Sequence, residues 1–286
     1  MYEQPKVIVV LGPTASGKSD FAIDLVKKYN GEVISADSRQ VYTGLDIGTG
    51  KVTEEEARGV KHHMLSVYNL DEEISVARYT RDTIPILEDI LHRGKTPIIC
   101  GGTGQYIDAL IYEISLPKIA PNKKLREALE QLSSEELFKQ LEEKDAVRAA
   151  MIHQHNRVRI IRALEIIDIL GVVPPRSAPS LRYPTTIYLM SASRELLRTR
   201  ITKRLEKRLA IGMIDEVENI IKKGYTSDTM RKFGLEYVSI GKFLEGRLTE
   251  EEMKQDIITK SYQYAKRQET WNKKYLPVAI IVEVKE

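Results

Sequence analysis

A single cysteine, Cys100, is all that the 286 residues contain, so neither an internal disulfide nor a cysteine-based zinc site can form. No apolar run approaches the roughly 20 residues that a bilayer-crossing helix needs, and no signal-peptide core precedes the first strand-like segment. A reducing, cytoplasmic compartment without a membrane partner is therefore expected. Net charge is also scarce: 44 Lys and Arg against 41 Asp and Glu leave +3, which by itself points neither toward nucleic acid nor away from it. No internal repeat and no low-complexity tract stands out. What remains is a chain longer than a typical single domain, for which one α/β core carrying an insertion is the expected organisation.

What is present begins near the N-terminus. Gly12, Pro13, Thr14, Ala15, Ser16, Gly17, Lys18 and Ser19 spell the phosphate-loop pattern G-x-x-x-x-G-K-[ST]. Its context is right, because Val7 to Leu11 is an uninterrupted apolar run and Asp20 to Tyr29 has helical spacing. The glycines let the backbone wrap with its N–H groups inward. Lys18 supplies a point charge to a terminal phosphate, and Ser19 offers a hydroxyl to a magnesium ion. A helix starting near Lys18 adds the positive end of its dipole. The pattern specifies a di- or triphosphate but not the ester that carries it.

The first hundred residues alternate strand and helix, with a short strand at Glu32 to Ser35, a helix through Val76 to His92 and a strand at Pro97 to Cys100. This is the rhythm of a parallel sheet covered on both faces. GGTGQY, Gly101 to Tyr106, follows that last strand and opens a helix to Tyr112. A glycine turn there lies where open α/β sheets bind ligands, though a plain tight turn fits equally. Composition changes after Leu116. Pro117 and Pro121 punctuate, and short amphipathic helices follow with apolar stripes at Leu125, Leu129, Leu132, Leu137 and Leu141. A longer helix over Asn156 to Leu170 ends at Gly171 and Pro174–Pro175. A small all-helical insertion over 117–183 is expected inside a phosphate-loop core of 1–116 and 184–286. Strand character returns at Thr186 to Met190; a basic helix from Arg194, a helix through Ile214 to Lys223, a helical stretch to Lys274 and a last strand at Val278 to Val284 follow.

Asp37 stands one βα unit after the phosphate loop. An aspartate there can accept a proton from an attacking nucleophile or orient it, and it can equally cap a turn. Pro97 to Cys100 runs directly into glycines with no terminal aspartate, so magnesium-assisted hydrolysis of a nucleoside triphosphate lacks a usual ligand. Arg194, Arg198, Arg200, Lys203, Arg204, Lys207 and Arg208 crowd one helical stretch, and Arg157, Arg159 and Arg162 form a second cluster. Either is compatible with a solvated helix face or with an RNA-binding one.

Seven further segments join the phosphate loop: SADSRQVY (35–42), DIGTG (46–50), the pair His62–His63, GGTGQY (101–106), NRVRIIRALE (156–165), RLEKRLAIGMIDEV (204–217) and YAKRQETW (264–271). With these in their order the chain resembles the tRNA dimethylallyltransferase family over nearly its whole length. The pattern departs from the family's at Gly50, Gln105, Arg208 and Asn272. The run ends soon after Trp271, without the zinc finger of eukaryotic relatives, so the bacterial type is implied. The resemblance implies a P-loop NTPase-like core with a helical insertion, a phosphate loop that holds dimethylallyl diphosphate with Mg2+ at Ser19, and no consumption of ATP. It assigns Lys18 and Arg204 to the departing diphosphate, Thr103 to its bridging oxygen, and Asp37 to the adenine amine as general base. It also implies that Asp37, Ser38, Arg39 and Gln40 touch the anticodon loop of tRNA, as do Val158, Arg159, Ile160, Ile161 and Arg162. A monomer is expected. Two other activities share the cradle: prenylation of free AMP, against which the insertion and basic helices argue, and small-molecule phosphorylation, which ATP turnover would reveal.

Overall fold

The computed structural model describes residues 6–114, 119, 122–174 and 180–285. Chain contacts divide it into two units, Met1–Glu113 with Leu181–Glu286, and Ile114–Ser180.

The first unit is a six-stranded sheet covered by helices. In chain order it contains β1 (Val7–Leu11), α1 (Lys18–Tyr29), β2 (Gly31–Ser35), α2 (Glu54–Ala57), β3 (His62–His63), α3 (Val76–His92), β4 (Thr96–Cys100) and α4 (Gly104–Ile111). The sheet order is β3-β2-β4-β1, continued by two later strands, and every pairing is parallel. All residues of β1, β2 and β4 are buried, because helices cover both faces and a parallel strand then has no solvent side. Parallel pairing also puts the carboxyl ends of β1, β2 and β4 on one edge, side by side. The loops after these three strands are the phosphate loop, the Asp37 segment and the Gly101–Gly104 turn.

The two-residue β3 has no propensity signal of its own. His63 Nε2 lies 2.8 Å from Oε2 of Glu32, which Arg93 also clasps at 2.6 and 2.8 Å and Lys95 at 2.8 Å. Hydrogen bonding from Arg93 chiefly holds the Glu32 carboxyl far below the usual carboxylate range. Contacts between residues distant in sequence, not local preference, thus bring this strand to the edge.

The second unit is all-helical: α5 (Lys123–Glu130), α6 (Ser134–Lys144), α7 (Ala146–Ala149) and α8 (Arg157–Leu170). Ser133 and Glu136 form a reciprocal capping box at α6, Asn156 caps α8, and Gly171 ends it in the left-handed conformation that glycine allows. Leu129, Leu137, Leu141, Ile160, Ile161, Leu164 and Ile167 form its core. Glu165, 1% exposed, accepts from Arg126 at 2.7 and 2.9 Å, from Arg162 at 3.1 Å and from the Asn122 amide at 2.9 Å, so its buried charge is fully answered.

The expected near edge of the insertion, at Leu116, Pro117 and Pro121, and its far punctuation at Pro175 lie outside the described residues. The far edge itself comes earlier than Tyr183. Leu181 already bridges Tyr112, and the Arg182 amide donates to the Ile111 carbonyl at 2.8 Å, returning the chain to the sheet unit. From there run β5 (Thr185–Ser191), α9 (Arg194–Ala210), α10 (Met213–Lys222), α11 (Leu235–Leu244), α12 (Glu250–Asn272) and β6 (Ile280–Glu283). Strand β5 pairs with β1, and β6 closes that side of the sheet.

Candidate active site

The phosphate loop is bent as its glycines require. Gly12 has φ +150°, and a Cβ there would stand 2.7 Å from Met190 Cβ and 2.9 Å from Ser16 Oγ; Gly17 enters α1 with φ +81°. Lys18 Nζ donates to the Pro13 carbonyl at 2.7 Å, placing the ammonium under the loop. The side chain keeps some exposure, yet its ammonium is shielded enough that burial pulls its pKa to about 8, with the like charge of Arg204 adding to the fall and Cys100 and Asp37 opposing it. Ser16 Oγ is buried against the Gly12 backbone with no hydrogen-bond partner among the described residues. Ser19 is exposed at the helix start, free to meet an ion.

Two residues from later helices close on this loop. Arg204 Nη2 of α9 donates to Thr14 Oγ1 at 2.6 Å, and burial lowers its pKa to about 10. Gln268 of α12, 7% exposed, accepts from the Thr14 amide at 2.7 Å and donates to the Gly102 carbonyl at 3.1 Å. One side chain therefore ties the phosphate loop to the second glycine turn. That turn is packed on both sides: a Cβ on Gly101 would strike the Ala36 backbone, one on Gly102 would strike Gln268, and one on Gly104 the Trp271 ring.

Asp37 leaves the end of β2. Its Oδ1 accepts from the Arg39 amide at 2.8 Å and the Gln40 amide at 3.4 Å, the Asx turn anticipated as its capping role. The other carboxylate oxygen has no hydrogen bond among the described residues, so capping and chemistry are compatible. Thr103 Oγ1 accepts from the Ser38 amide at 3.0 Å and faces Ser38 Oγ at 3.3 Å, while its own amide donates to Ala36 O at 3.0 Å. Thr103 is thereby fastened to the Asp37 segment. Tyr264 of α12 faces this segment, its hydroxyl pushed up to about 12 by burial, with Asp37 adding to the rise.

The segment 46–50 supports this end of the cleft. Glu216 of α10 accepts from three successive amides, Asp46 at 2.9 Å, Ile47 at 2.7 Å and Gly48 at 2.9 Å, and from Tyr237 Oη at 2.6 Å. Its carboxylate fills a backbone anion nest. Gln40 Nε2 donates to Gly50 O at 3.1 Å and Thr49 O at 3.4 Å, and Arg208 Nη1 donates to Gly48 O at 3.2 Å. Gly50, at φ +61°, lies so close to the Arg208 guanidinium that any Cβ would collide with it. Two of the departures from the family pattern, Gly50 and Arg208, thus meet each other.

Lys18, Asp37, Thr103 and Arg204 share one edge of the sheet with the phosphate loop. Several expected RNA contacts are otherwise engaged. Arg39 Nη1 donates to the Lys232 carbonyl, and Gln40 braces the 46–50 segment. In the helical unit Val158 is 79% exposed and Arg159 is exposed. Ile160 and Ile161, at 0% and 7%, correct the expectation that they touch RNA: the helical period turns them into the unit's own core. Arg162 is only 33% exposed and is bound to Glu165 and to Ile119 O. Gln268, Tyr264 and Glu216 received no role from the sequence. For Gln268 a signal existed, because Ile257, Ser261, Ala265, Gln268 and Asn272 all lie on the buried face of α12, and an amide on that face needs partners.

A family model described as IPP transferase matches residues 40–275. Among similar proteins, the tRNA dimethylallyltransferase of a Thermoanaerobacter species is 38% identical over 282 residues, covering 94% of this chain and 89% of that protein. The Staphylococcus aureus protein of the same name is 38% identical over 287 residues, covering 96% and 92%. Among solved structures, the full-length tRNA isopentenylpyrophosphate transferase of Bacillus halodurans superposes with a TM-score of 0.73 at 34% identity, covering 98% of this chain and 90% of that one. A eukaryotic dimethylallyltransferase acting on tRNA superposes with a TM-score of 0.87 at 28% identity, covering 99% and 75%. The family model begins after the phosphate loop and Asp37 and does not cover those residues.

Proposed function

The chain belongs to the IPP transferase family, and from that premise we infer that it transfers the dimethylallyl group of dimethylallyl diphosphate to the exocyclic amine of an adenosine in tRNA, releasing diphosphate. The observation that carries this reading is the convergence of three loops at adjacent strand ends: a diphosphate cradle, an aspartate with one unengaged oxygen, and a glycine turn that fixes Thr103 between them. The acceptor on this reading is the adenosine on the 3′ side of the anticodon, which goes with a cytoplasmic enzyme, and we take the enzyme to act as a monomer.

The reaction breaks the bond between the allylic carbon and its diphosphate oxygen and forms a carbon–nitrogen bond, with cationic character on the carbon in between. The protein must therefore hold negative charge on the departing oxygens. The loop amides, Lys18 and Arg204 are placed for this in a partly desolvated cleft, where fixed donors act most strongly. Thr103, fastened by the Ser38 amide and by Ala36 O, would meet the bridging oxygen. Asp37 orients the amine and accepts its proton after attack has begun. No cluster of three acidic, histidine or cysteine side chains exists among the described residues, so the donor set suits an ion carried mainly by the diphosphate itself. Ser19 would hold Mg2+ there, and the ion would supply further neutralisation of the leaving group. The adenine must leave its stack to reach this cleft. In the helical unit, Val158 and Arg159 are the exposed candidates for contact with the anticodon stem.

Asp37→Asn tests the assignment. It keeps shape and the Asx-turn acceptor while removing basicity, so donor and tRNA should bind as before. Single-turnover prenyl transfer, followed by nucleoside mass spectrometry, should fall by about 10²–10⁴. Transfer at the wild-type rate, with chemistry rate-limiting, would leave Asp37 a capping residue only.

A further inference from the structure

Arg208 has no task in the reaction as described. It is 8% exposed, its hydrogen bond is the one to Gly48 O, and no carboxylate lies within ion-pair distance among the described residues. The acid that influences it most, Glu236, does so at a distance, and burial pushes that carboxyl up toward its neutral form. Burying a cation without a contacting counter-charge is costly, and an apolar side chain would fill the same space without that cost.

The register of α9 says where the guanidinium points. Arg200, Arg204 and Arg208 recur at every fourth residue and share one stripe, each about 6 Å further along the axis. Arg200 Nη1 lies 3.9 Å from where a Cβ on Gly17 would stand, Arg204 holds Thr14, and Arg208 lies against Gly48 and Gly50. The stripe therefore starts at the phosphate loop and ends at the segment that braces Gln40, beside Asp37. Arg204 already serves the diphosphate end; Arg208 stands one turn nearer the acceptor. With Gly50 lacking a side chain, the backbone can approach the guanidinium and fix it while the remaining N–H donors of the fork stay available.

We propose that Arg208 is a phosphate-contacting residue on the acceptor side of the cleft, taking an RNA phosphate that flanks the reacting adenosine. The inference rests on the tRNA-prenylating reading above. The test uses the full chain, an unmodified tRNA transcript and dimethylallyl diphosphate. Arg208→Met should weaken tRNA binding about tenfold near physiological salt and lower the slope of log K against log salt by roughly one, the loss of one phosphate contact. Donor affinity should stay within about twofold. Unchanged tRNA affinity and slope in a folded variant would overturn the proposal, as would a fall in donor affinity instead, which assigns the fork to the diphosphate. A second measurement needs no variant: an anticodon stem-loop with a neutral methylphosphonate at a phosphate next to the adenosine should bind wild-type protein about tenfold less tightly. The same RNA should bind Arg208→Met no worse than unmodified RNA does; independent, additive losses overturn the assignment. Wild-type protein that prenylates the transcript secures the underlying reading, so a null result then counts against Arg208 alone. A wild type that transfers nothing counts against the reading itself.

Discussion

Replacing Gln268 with glutamate asks whether one amide sets the relation between the two glycine turns. The native side chain accepts from Thr14 N at 2.7 Å and donates to Gly102 O at 3.1 Å. A carboxylate keeps the first bond and inverts the second, setting an oxygen against a carbonyl oxygen. The lost bond is worth about 1 kcal/mol net, and a buried carbonyl left opposed adds about 1–3 kcal/mol. At the low end this is about 2 kcal/mol of lost pre-organisation, or roughly thirtyfold in affinity for dimethylallyl diphosphate. The added negative charge beside the cradle acts in the same direction. Acid relieves the loss, because a protonated carboxyl can donate to Gly102 O and burial raises the pH at which this happens. Calorimetric titration of donor at pH 5.5 and pH 8, each referred to wild type at the same pH, should show a large deficit at the higher pH and a small one at the lower. Gln268→Ala removes both bonds and should show a deficit that does not depend on pH. Glutamate binding as well as wild type at pH 8, or equally badly at both, would refute the strut.

Three more outcomes are expected. Lys18 has its folded pKa near 8 against an ordinary 10.5, so between these values the folded protein carries fewer protons than the unfolded one and gains stability as pH rises, whereas donor binding, which uses the ammonium, should weaken above pH about 8 with a slope approaching one decade per unit; titration calorimetry across pH 7–9.5 checks this. Gly50→Ala should cost about 1–2 kcal/mol from its φ of +61° alone and more from the Arg208 collision, and placing it on Arg208→Met should remove the second part; denaturant unfolding of the four proteins should give a coupling of at least about 1 kcal/mol, and additivity would mean that the guanidinium moves aside freely. Glu216→Gln must turn its amide donor toward the Asp46 and Ile47 amides or toward the Gly48 amide and Tyr237, losing at least one bond and the charge on the others, so it should cost about 2–3 kcal/mol and lower the melting temperature by roughly 4–8 °C; a shift below about 1 °C would discount the nest.

What could be read from the sequence was what short segments write into themselves. The phosphate loop, the buried apolar strands and α3 follow from glycine placement, hydrophobic runs and helical spacing. Asp37 could be singled out because it follows a strand end, and Thr103 through the family resemblance that its glycine turn carries. The residues left without a role are those whose meaning depends on distant partners. Glu216 acts on residues 46–48, Gln268 acts on residues 14 and 102, and β3 exists through Glu32. Ile160 and Ile161 show the opposite error. A contiguous motif was carried over as one block, although the helical turn sends alternate parts of it to solvent and to the core. Arg162 likewise looked available until Glu165, an acid on the same helix, claimed it.

The Gln268 strut also orders events during synthesis. Its bond to Thr14 spans 254 residues, so the phosphate loop, made well before α12, lacks its brace until that helix has appeared. At about 5–20 residues per second that interval is roughly 13–50 s. A nascent chain can pair β1 with β4 long before then, yet its cradle is held to the second glycine turn only once α12 docks. Competence to grip the prenyl donor is thereby deferred until the surrounding walls exist, and a truncated product lacking α12 would carry the phosphate-loop sequence without a braced cradle to use it.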